Sequence, residues 1–362
     1  MKALILIGGY GTRLRPLTFS VPKPLVFFGD KPILCHQIQA LAEAGVTEVI
    51  LAVNNVPPAL IESLKGFEEI YKVKITISVE YEPMGTAGPI RLAKDHILAD
   101  NPSGLFFVFN SDVICDYPLS KFIEFHKAHG KEGTILATTV EDPSKYGVIV
   151  HREGGQIDRF VEKPQTFVGN KINAGLYLLN TSVIDRIELK PTSIEREIFP
   201  KMAADEQLYV FTLDGYWMDI GQPKDYLLGQ KLFLQSVRAR TPARLASGPT
   251  ITGDVLIDPS AHVDPSAHLG PNVVIGKDCV IGPGCKLYNT TIMEGTKAQG
   301  YSLVEGSIIG WGNTIGKWVR ISGLTVSAED VQFKDEVIVN GAMVCPHKGV
   351  TTNVTNAGTI VM

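Results

Sequence analysis

No run of the chain approaches the roughly 20 consecutive apolar residues that a membrane-crossing helix needs. The apolar opening, Ala3 to Ile7, is interrupted after five residues by Gly8-Gly9. That is too short for the apolar region of a secretory leader, and it reads as a buried strand. A cytoplasmic protein is expected, and the sequons at Asn180, Asn289 and Asn353 are then accidental. Paired cysteines are lacking as well. Cys35, Cys115, Cys279, Cys285 and Cys345 are scattered, odd in number and without a C-x-x-C spacing, which suggests neither a disulfide framework nor a zinc site and fits a reducing compartment. Nor is there a basic stripe: 34 Lys and Arg stand against 38 Asp and Glu, a balance that argues against nucleic acid or an anionic membrane as partner.

What is present divides in two. A length of 362 residues predicts two domains. Within residues 1–240, short runs rich in Ile, Val and Phe alternate with helical patterns. Ala3–Ile7, Val49–Val53, Ile75–Val79 and Leu105–Phe109 read as strands. Pro32–Ala44 reads as a helix opened by proline and stopped by Gly45. Strand, helix, strand implies an α/β fold with a mostly parallel sheet covered by helices. Such sheets bind ligands beyond the carboxyl ends of their strands, so chemistry is expected in the loops after Ile7 and Phe109.

In residues 241–362 an aliphatic recurs every six positions, at Ile251, Ile257, Val263, Leu269, Ile275, Ile281 and Leu287, slips near Asn289, and returns at Ile309, Ile315 and Ile321. That period predicts a hexapeptide parallel β-helix of roughly five triangular coils, each side taking one hexad. The domain reads as a structural and assembly platform, because its open coil ends expose backbone groups and apolar rungs that a second subunit would cover. Cys279 and Cys285 fall on small interior positions and read as packing, not as nucleophiles. His262 and His268 read as solvated. His126 and His129, at i and i+3 on a helix, lack the further ligands of a metal site.

Directly after the first strand stands Gly8-Gly9-Tyr10-Gly11-Thr12-Arg13-Leu14-Arg15-Pro16-Leu17-Thr18, followed by Pro22-Lys23-Pro24-Leu25. Closely spaced glycines let backbone N–H groups approach an anion, since no Cβ intervenes. Arg13 and Lys23 add the charge that neutralises a triphosphate. The segment is not a Walker A loop, which needs G-x-x-x-x-G-K-[ST], nor a dinucleotide fingerprint, since Leu14 stands where the last glycine falls.

This segment resembles that of the sugar-phosphate nucleotidyltransferases, and further parts of that family's pattern follow in order. Gly85-Thr86-Ala87-Gly88 resembles the loop that holds the base, and Asn110-Ser111-Asp112 the strand end that supplies a metal-binding aspartate. Lys145-Tyr146-Gly147, Phe160-Val161-Glu162-Lys163-Pro164 and Asn173-Ala174-Gly175 resemble the sugar-side elements. Trp217-Met218-Asp219-Ile220-Gly221 resembles the segment with a second metal-binding aspartate. The resemblance covers essentially the whole chain and implies a Rossmann-like nucleotidyltransferase domain followed by a left-handed parallel β-helix. It implies nucleotide binding by Leu6, Gly8, Gly9, Gly11, Thr12, Arg13, Gly85, Thr86, Asn110 and Asp112. Sugar-phosphate binding falls to Gly147, Glu162, Lys163 and Asn173, and Mg2+ to Asp112 and Asp219. Of the catalytic cations, Arg13 would stabilise the leaving pyrophosphate, Lys23 the α-phosphate region and Lys163 the incoming phosphate. Length, the opening Met1–Leu6, Glu141–Gly147 and Phe160–Asn173 are most similar to the eukaryotic-type GDP-mannose pyrophosphorylases of the catalytic beta kind. That similarity implies GTP and mannose 1-phosphate as substrates and a homo-oligomer, with a regulatory subunit as a further partner. Read for chemistry alone, the residues leave the base and the hexose open.

The pieces agree physically. When one phosphate attacks another, the main obstacle is repulsion between polyanions, so catalysis needs neutralisation and positioning more than a covalent nucleophile. Magnesium takes oxygen ligands, often one or two carboxylates plus phosphate oxygens, which suits Asp112 and Asp219. Singly, each residue has an ordinary reading: Asp112 a helix cap, Asp219 a turn acid, Glu162-Lys163 a surface ion pair worth little, Asn173 a turn residue, Trp217 core. Their joint occurrence in the family's order favours chemistry. Two other classes compete: a non-catalytic regulatory relative, which the intact Gly8–Lys23 segment with Asp112, Lys163 and Asp219 disfavours, and an acyltransferase on the repeat, which would need a His-centred site and a long inserted loop.

Overall fold

The apolar opening forms strand β1 (Lys2–Ile7) in the computed structural model, which describes every residue except Tyr10 of the glycine-rich segment. With β2 (Glu48–Val53), β3 (Lys74–Val79) and β4 (Leu105–Asn110) it makes a parallel array in the order β4-β1-β2-β3. These are the four runs read as strands, and their near-continuous aliphatics and phenylalanines suit burial on both faces. Leu4, Ile5, Ile50, Leu51, Phe107 and Val108 are fully buried. Helix α1 (Ile33–Glu43) connects β1 to β2. Pro32 does not open it; it pairs in a short hairpin of Phe27–Phe28 with Lys31–Pro32, and the Ile33 N–H turns back to the Val26 carbonyl at 2.9 Å.

The other half of the sheet is largely antiparallel and absent from the sequence reading. It comprises β5 (Gly133–Thr139), β6 (Gly147–His151), β7 (Ile157–Glu162), β8 (Lys171–Asn180) and β9 (Leu208–Thr212). β8 runs antiparallel to β4, β5 and β6, β7 antiparallel to β6, and β9 parallel to β5. The nine-stranded sheet is thus mixed. By packing, the chain falls into two units, Met1–Gly9 with Leu34–Trp217, and Tyr10–Ile33, described from Gly11, with Met218–Met362. The whole sheet lies in the first.

In the second unit the hexapeptide region winds into three parallel sheets of seven, six and five strands, a left-handed parallel β-helix. Ile275 stacks on Ile257, eighteen positions before it, whereas Ile292 stacks on Ile275 after only seventeen. The coil from Ile275 to Ile292 is thus a residue short, which is the slip seen near Asn289, and the next, from Ile292 to Ile309, is seventeen residues as well. Asn272, Asp278 and Asn289 sit at positive φ, a conformation that Asn and Asp tolerate better than most side chains. At Gly270, φ +93, a Cβ would stand 1.9 Å from the Thr252 carbonyl oxygen, so only glycine fits. Cys279 and Cys285 are fully buried, and burial pushes both thiols up, Cys279 to about 11. They are packing residues, as read. His262 and His268 are exposed. His126 and His129 both bond to the Thr134 hydroxyl, at 2.7 and 2.8 Å, and His129 stacks on Tyr209. No helix of the described residues is long and apolar enough to cross a membrane.

One polar cluster braces the parallel strands. Glu48 accepts from Lys2, from Thr76 Oγ1 at 2.5 Å and from Lys74 at 3.1 Å. Burial would raise its carboxyl, but these bonds outweigh burial and hold it at about 2 against an ordinary 4.5. A depressed carboxyl stabilises the fold above its unfolded value and loses that contribution as pH falls from 4.5 toward 2. Glu48→Gln is therefore expected to cost about 3 kcal/mol at pH 7, with the gap to wild type narrowing below pH 4.5. Urea unfolding at pH 7 and pH 3 measures both; an equal gap at the two values would contradict the linkage.

Candidate functional site

The carboxyl ends of the parallel strands bring one group of expected residues together. Leu6 lies opposite both Ala52 and Asn110, and β1 then runs into Gly8 and into Gly9 at φ +95. Beyond β4 the chain turns sharply through Ser111 and the half-buried Asp112. Gln37 holds that turn by donating to the Asn110 and Val113 carbonyls at 2.8 and 3.1 Å, and the Ser111 N–H donates to the Leu6 carbonyl at 3.3 Å.

A second group forms a shelf. Its floor is β6 and β7, where a Cβ on Gly147 would stand 2.5 Å from Phe160 Cζ and 2.8 Å from Glu162 Oε2. The missing side chain is what lets the Glu162 carboxylate lie over β6. Lys163 follows at φ +47, a strained value for a non-glycine residue, with its N–H on the Tyr146 carbonyl at 3.0 Å. Its exposed ammonium stands 3.7 Å from Glu162 Oε1. Asn173-Ala174-Gly175 is an irregular bulge of β8: four residues advance there against two on β5. Asn173 Oδ1 accepts the Gly175 N–H at 2.9 Å, and the Ala174 carbonyl accepts from Trp217 Nε1 at 2.9 Å. Gly175, φ +77, leaves room for the Asn110 amide, whose Nδ2 would lie 2.8 Å from a Cβ there.

Facing the shelf is the loop Gly85-Thr86. Thr86 and Ala87 both donate their N–H to the Thr192 carbonyl, at 3.1 and 2.9 Å, and Gly85 must lack a Cβ because that same oxygen would be 2.5 Å away. The segment after Thr192 supplies Glu195 and Arg196, which no motif pointed out. Its Ser-x-x-Arg-Glu pattern reads as an ordinary helix start, and that reading hides its role. Phe160, Glu162, Lys163, Glu195, Arg196 and Pro200 line an open cavity of about 500 Å³. Within it the Glu162 carboxyl is raised, first by burial and then by the charge of Glu195, while Lys163 and Arg196 oppose the rise.

A third group belongs to the second unit. Gly11, φ +61, caps a short turn Thr12–Leu14, and Thr18 Oγ1 donates to its carbonyl at 2.8 Å. Leu14 and Leu17, fully buried, anchor the segment and leave Thr12 and Arg13 exposed. Half-buried Lys23 opens a second turn, Lys23–Leu25. Arg13 and Asp219 converge on Gly221: a Cβ there would lie 2.9 Å from Arg13 Nη2 and 2.9 Å from Asp219 Oδ1, which already accepts the Gly221 N–H at 2.9 Å.

Among the described residues no three His, Cys, Asp or Glu side chains stand together as a preformed metal cage. A carboxylate oxygen such as that of Asp112 or of Asp219 is the donor type that a hard divalent cation takes beside phosphate oxygens and water.

A sheet with a glycine-rich turn at its carboxyl edge, a carboxylate–amide–lysine shelf beside it and a β-helix tail define the class as an α/β nucleotidyltransferase with a repeat tail. The model of the Nucleotidyl transferase family matches residues 2–236, and that of the GMPPB C-terminal domain matches residues 251–360. The chain belongs to the nucleotidyl transferase family. A mannose-1-phosphate guanyltransferase of Kluyveromyces lactis is 58% identical over 356 residues, 98% of each chain. One from Schizosaccharomyces pombe is 56% identical over 365 residues and the whole of both chains, and the beta-A protein of that name from Xenopus laevis is 57% identical over 355 residues, 98% of each. Among solved structures, HddC from Yersinia pseudotuberculosis is 31% identical with a TM-score of 0.52, covering 62% of this chain and 96% of its own.

Proposed function

We propose that the protein transfers a guanylyl group from GTP to mannose 1-phosphate, forming GDP-mannose and pyrophosphate. The observation that carries this reading is the full-length identity of 56–58% to relatives bearing the name mannose-1-phosphate guanyltransferase, and the shelf's polar chemistry supports it. A phosphate oxygen of mannose 1-phosphate bonds to the α-phosphorus of GTP, the bond from that phosphorus to the α–β bridging oxygen breaks, and pyrophosphate leaves with the electron pair. Gly8, Gly9, Gly11 and Thr12 cradle the phosphates with backbone N–H groups, and Leu6, Gly85, Thr86 and Asn110 hold the nucleoside. Arg13 steadies the leaving pyrophosphate and Lys23 the α-phosphate, where negative charge must be offset. Glu162, Asn173 and the Gly147 backbone receive the sugar hydroxyls, and Lys163 its phosphate.

Nucleotidyltransferases of this family generally use a divalent metal; we read it as Mg2+, which Asp112 and Asp219 would each hold through a carboxylate oxygen and which would offset phosphate charge when bound. The same reading sets the catalytic domain at 1–240 and an assembly domain at 241–362. It places the protein in the cytoplasm and makes it a homo-oligomer through the repeats, with a regulatory subunit as a further partner and no nucleic acid or membrane.

Pyrophosphate release with magnesium, over GTP, ATP, UTP and dTTP against mannose 1-phosphate and glucose 1-phosphate, tests it. Release with GTP and mannose 1-phosphate alone is expected. Release with another pair overturns the substrates, and none from folded, metal-replete protein moves the reading to a regulatory relative.

A further inference from the structure

Glu195 touches both the Gly85-Thr86 loop, at Thr86, and Tyr177 beside the Asn173 bulge. It lies in a single turn of π-helix, Ile194–Ile198, a feature that recurs at functional sites. The turn is capped from both sides: Ser193 Oγ accepts the Arg196 N–H at 3.2 Å, and Glu197 Oε1 accepts the Ser193 N–H at 2.9 Å. This reciprocal cap fixes the direction in which Glu195 leaves the backbone.

Its two oxygens have separate donors. Oε2 accepts from Thr86 Oγ1 at 2.6 Å and from Ser193 Oγ at 2.9 Å. Oε1 receives Tyr177 Oη at 3.4 Å, and that hydroxyl in turn accepts from Asn173 Nδ2 at 2.9 Å. Thr86 Oγ1 is itself held by the Ile194 N–H at 2.9 Å. An unbroken chain therefore runs from Thr86 through Glu195 and Tyr177 to Asn173, whose Oδ1 holds the bulge at Gly175. A carboxylate has two acceptor oxygens, so it can serve both hydroxyls at once, with the 2.6 Å bond from Thr86 the short one and the 3.4 Å contact from Tyr177 the long one.

We propose that Glu195 is a positioning residue that ties the Gly85-Thr86 loop to the Asn173 bulge, so that one carboxylate sets the nucleotide side and the sugar side of the site together. The assignment of those two sides rests on the function proposed above; the tie itself does not. Removing the carboxylate takes the acceptor from both hydroxyls, and the effect must appear at both ends. A local structural acid would disturb only its own turn.

Hydrogen–deuterium exchange on the full chain without ligand separates the two. Thr86, Ala87 and Gly175 N–H groups, each bonded within these elements, are the reporters. In Glu195→Ala all three exchange about tenfold faster, the scale of losing one charge-assisted bond. Glu195→Gln, which keeps an acceptor for Thr86 and turns an amide N–H to the second lone pair of the Tyr177 hydroxyl in place of the bond Glu195 accepts, restores them to within about twofold. Faster exchange at one end only, or confined to 193–198, overturns the proposal. In steady-state assays Glu195→Ala raises KM for GTP and for mannose 1-phosphate about tenfold each, with kcat changed less than about threefold. Thr86→Val raises the first KM alone and Tyr177→Phe the second alone. An active wild type with unchanged KM values in Glu195→Ala also overturns the tie, whereas an inactive wild type overturns the substrate reading and leaves the exchange result to decide the tie.

Discussion

Asp219→Asn is expected to lower kcat by roughly 10²–10³-fold while the chain folds as before. The substitution is chosen for what it keeps. Asparagine retains the oxygen that accepts the Gly221 N–H at 2.9 Å, so the turn after Asp219 keeps its bond. Its size also suits the crowded approach to Gly221, where a Cβ would meet both Asp219 Oδ1 and Arg13 Nη2 at 2.9 Å. What disappears is one unit of negative charge beside the Arg13 guanidinium and at an expected ligand of the divalent cation. A neutral amide is a poorer ligand for a hard cation than a carboxylate, and losing several kcal/mol of charge stabilisation where polyphosphate reacts gives the stated factor at about 1.4 kcal/mol per tenfold. Asp112→Asn carries the same expectation. The measurement is pyrophosphate release at saturating substrates and metal, with thermal unfolding as the control for folding. A wild-type rate in either variant removes that aspartate from the ligand set.

The elements that sequence reading found are those whose pattern is local. β1, β2 and β4 are buried on both faces, so their residues are almost uniformly apolar and announce themselves. The β-helix is equally plain, because each hexad must present one inward aliphatic, and even its slip near Asn289 is a coil one residue short. The antiparallel half left no such trace. β7 reads Ile-Asp-Arg-Phe-Val-Glu, with neighbouring Asp158 and Arg159 both exposed and no clean alternation, and β8 is broken by the Asn173–Gly175 bulge, which re-aims side chains at the cost of a regular period. Pro32 shows a local rule outvoted by its neighbourhood, since pairing with Phe27 takes it into a hairpin. Site residues followed the same division. Gly147, Glu162 and Lys163, which the fold brings together on the shelf, stand in compact motifs and were picked out by resemblance. Glu195 was not, because its partners Thr86 and Tyr177 lie 109 and 18 residues away and only the folded chain brings them together.

Lys163→Ala should separate binding of the sugar phosphate from everything else. The side chain is 57% exposed, so its loss removes little packing, and thermal unfolding should stay within about 2 °C of wild type. Its position is fixed by the backbone: the left-handed φ of +47 and the N–H bond to Tyr146 bring the ammonium to 3.7 Å from Glu162, at the mouth of the cavity. In the proposed function a cation there would meet the phosphate of mannose 1-phosphate, and losing one charged hydrogen bond of about 2–3 kcal/mol is expected to raise that KM roughly 30–150-fold while KM for GTP stays within about threefold. Lys163→Arg, which keeps the charge, should recover part of the loss. The pH dependence adds a second reading. Burial and Glu195 already raise the Glu162 carboxyl, with Lys163 and Arg196 holding it back. With Lys163 gone, only Arg196 of these two opposes the rise, so Glu162 takes up its proton at higher pH. The acid limb of kcat/KM for the sugar phosphate then moves to higher pH, and initial rates between pH 4 and 8 at saturating GTP measure it. A KM for mannose 1-phosphate equal to wild type, with an unshifted acid limb, would assign Lys163 to the solvated surface instead.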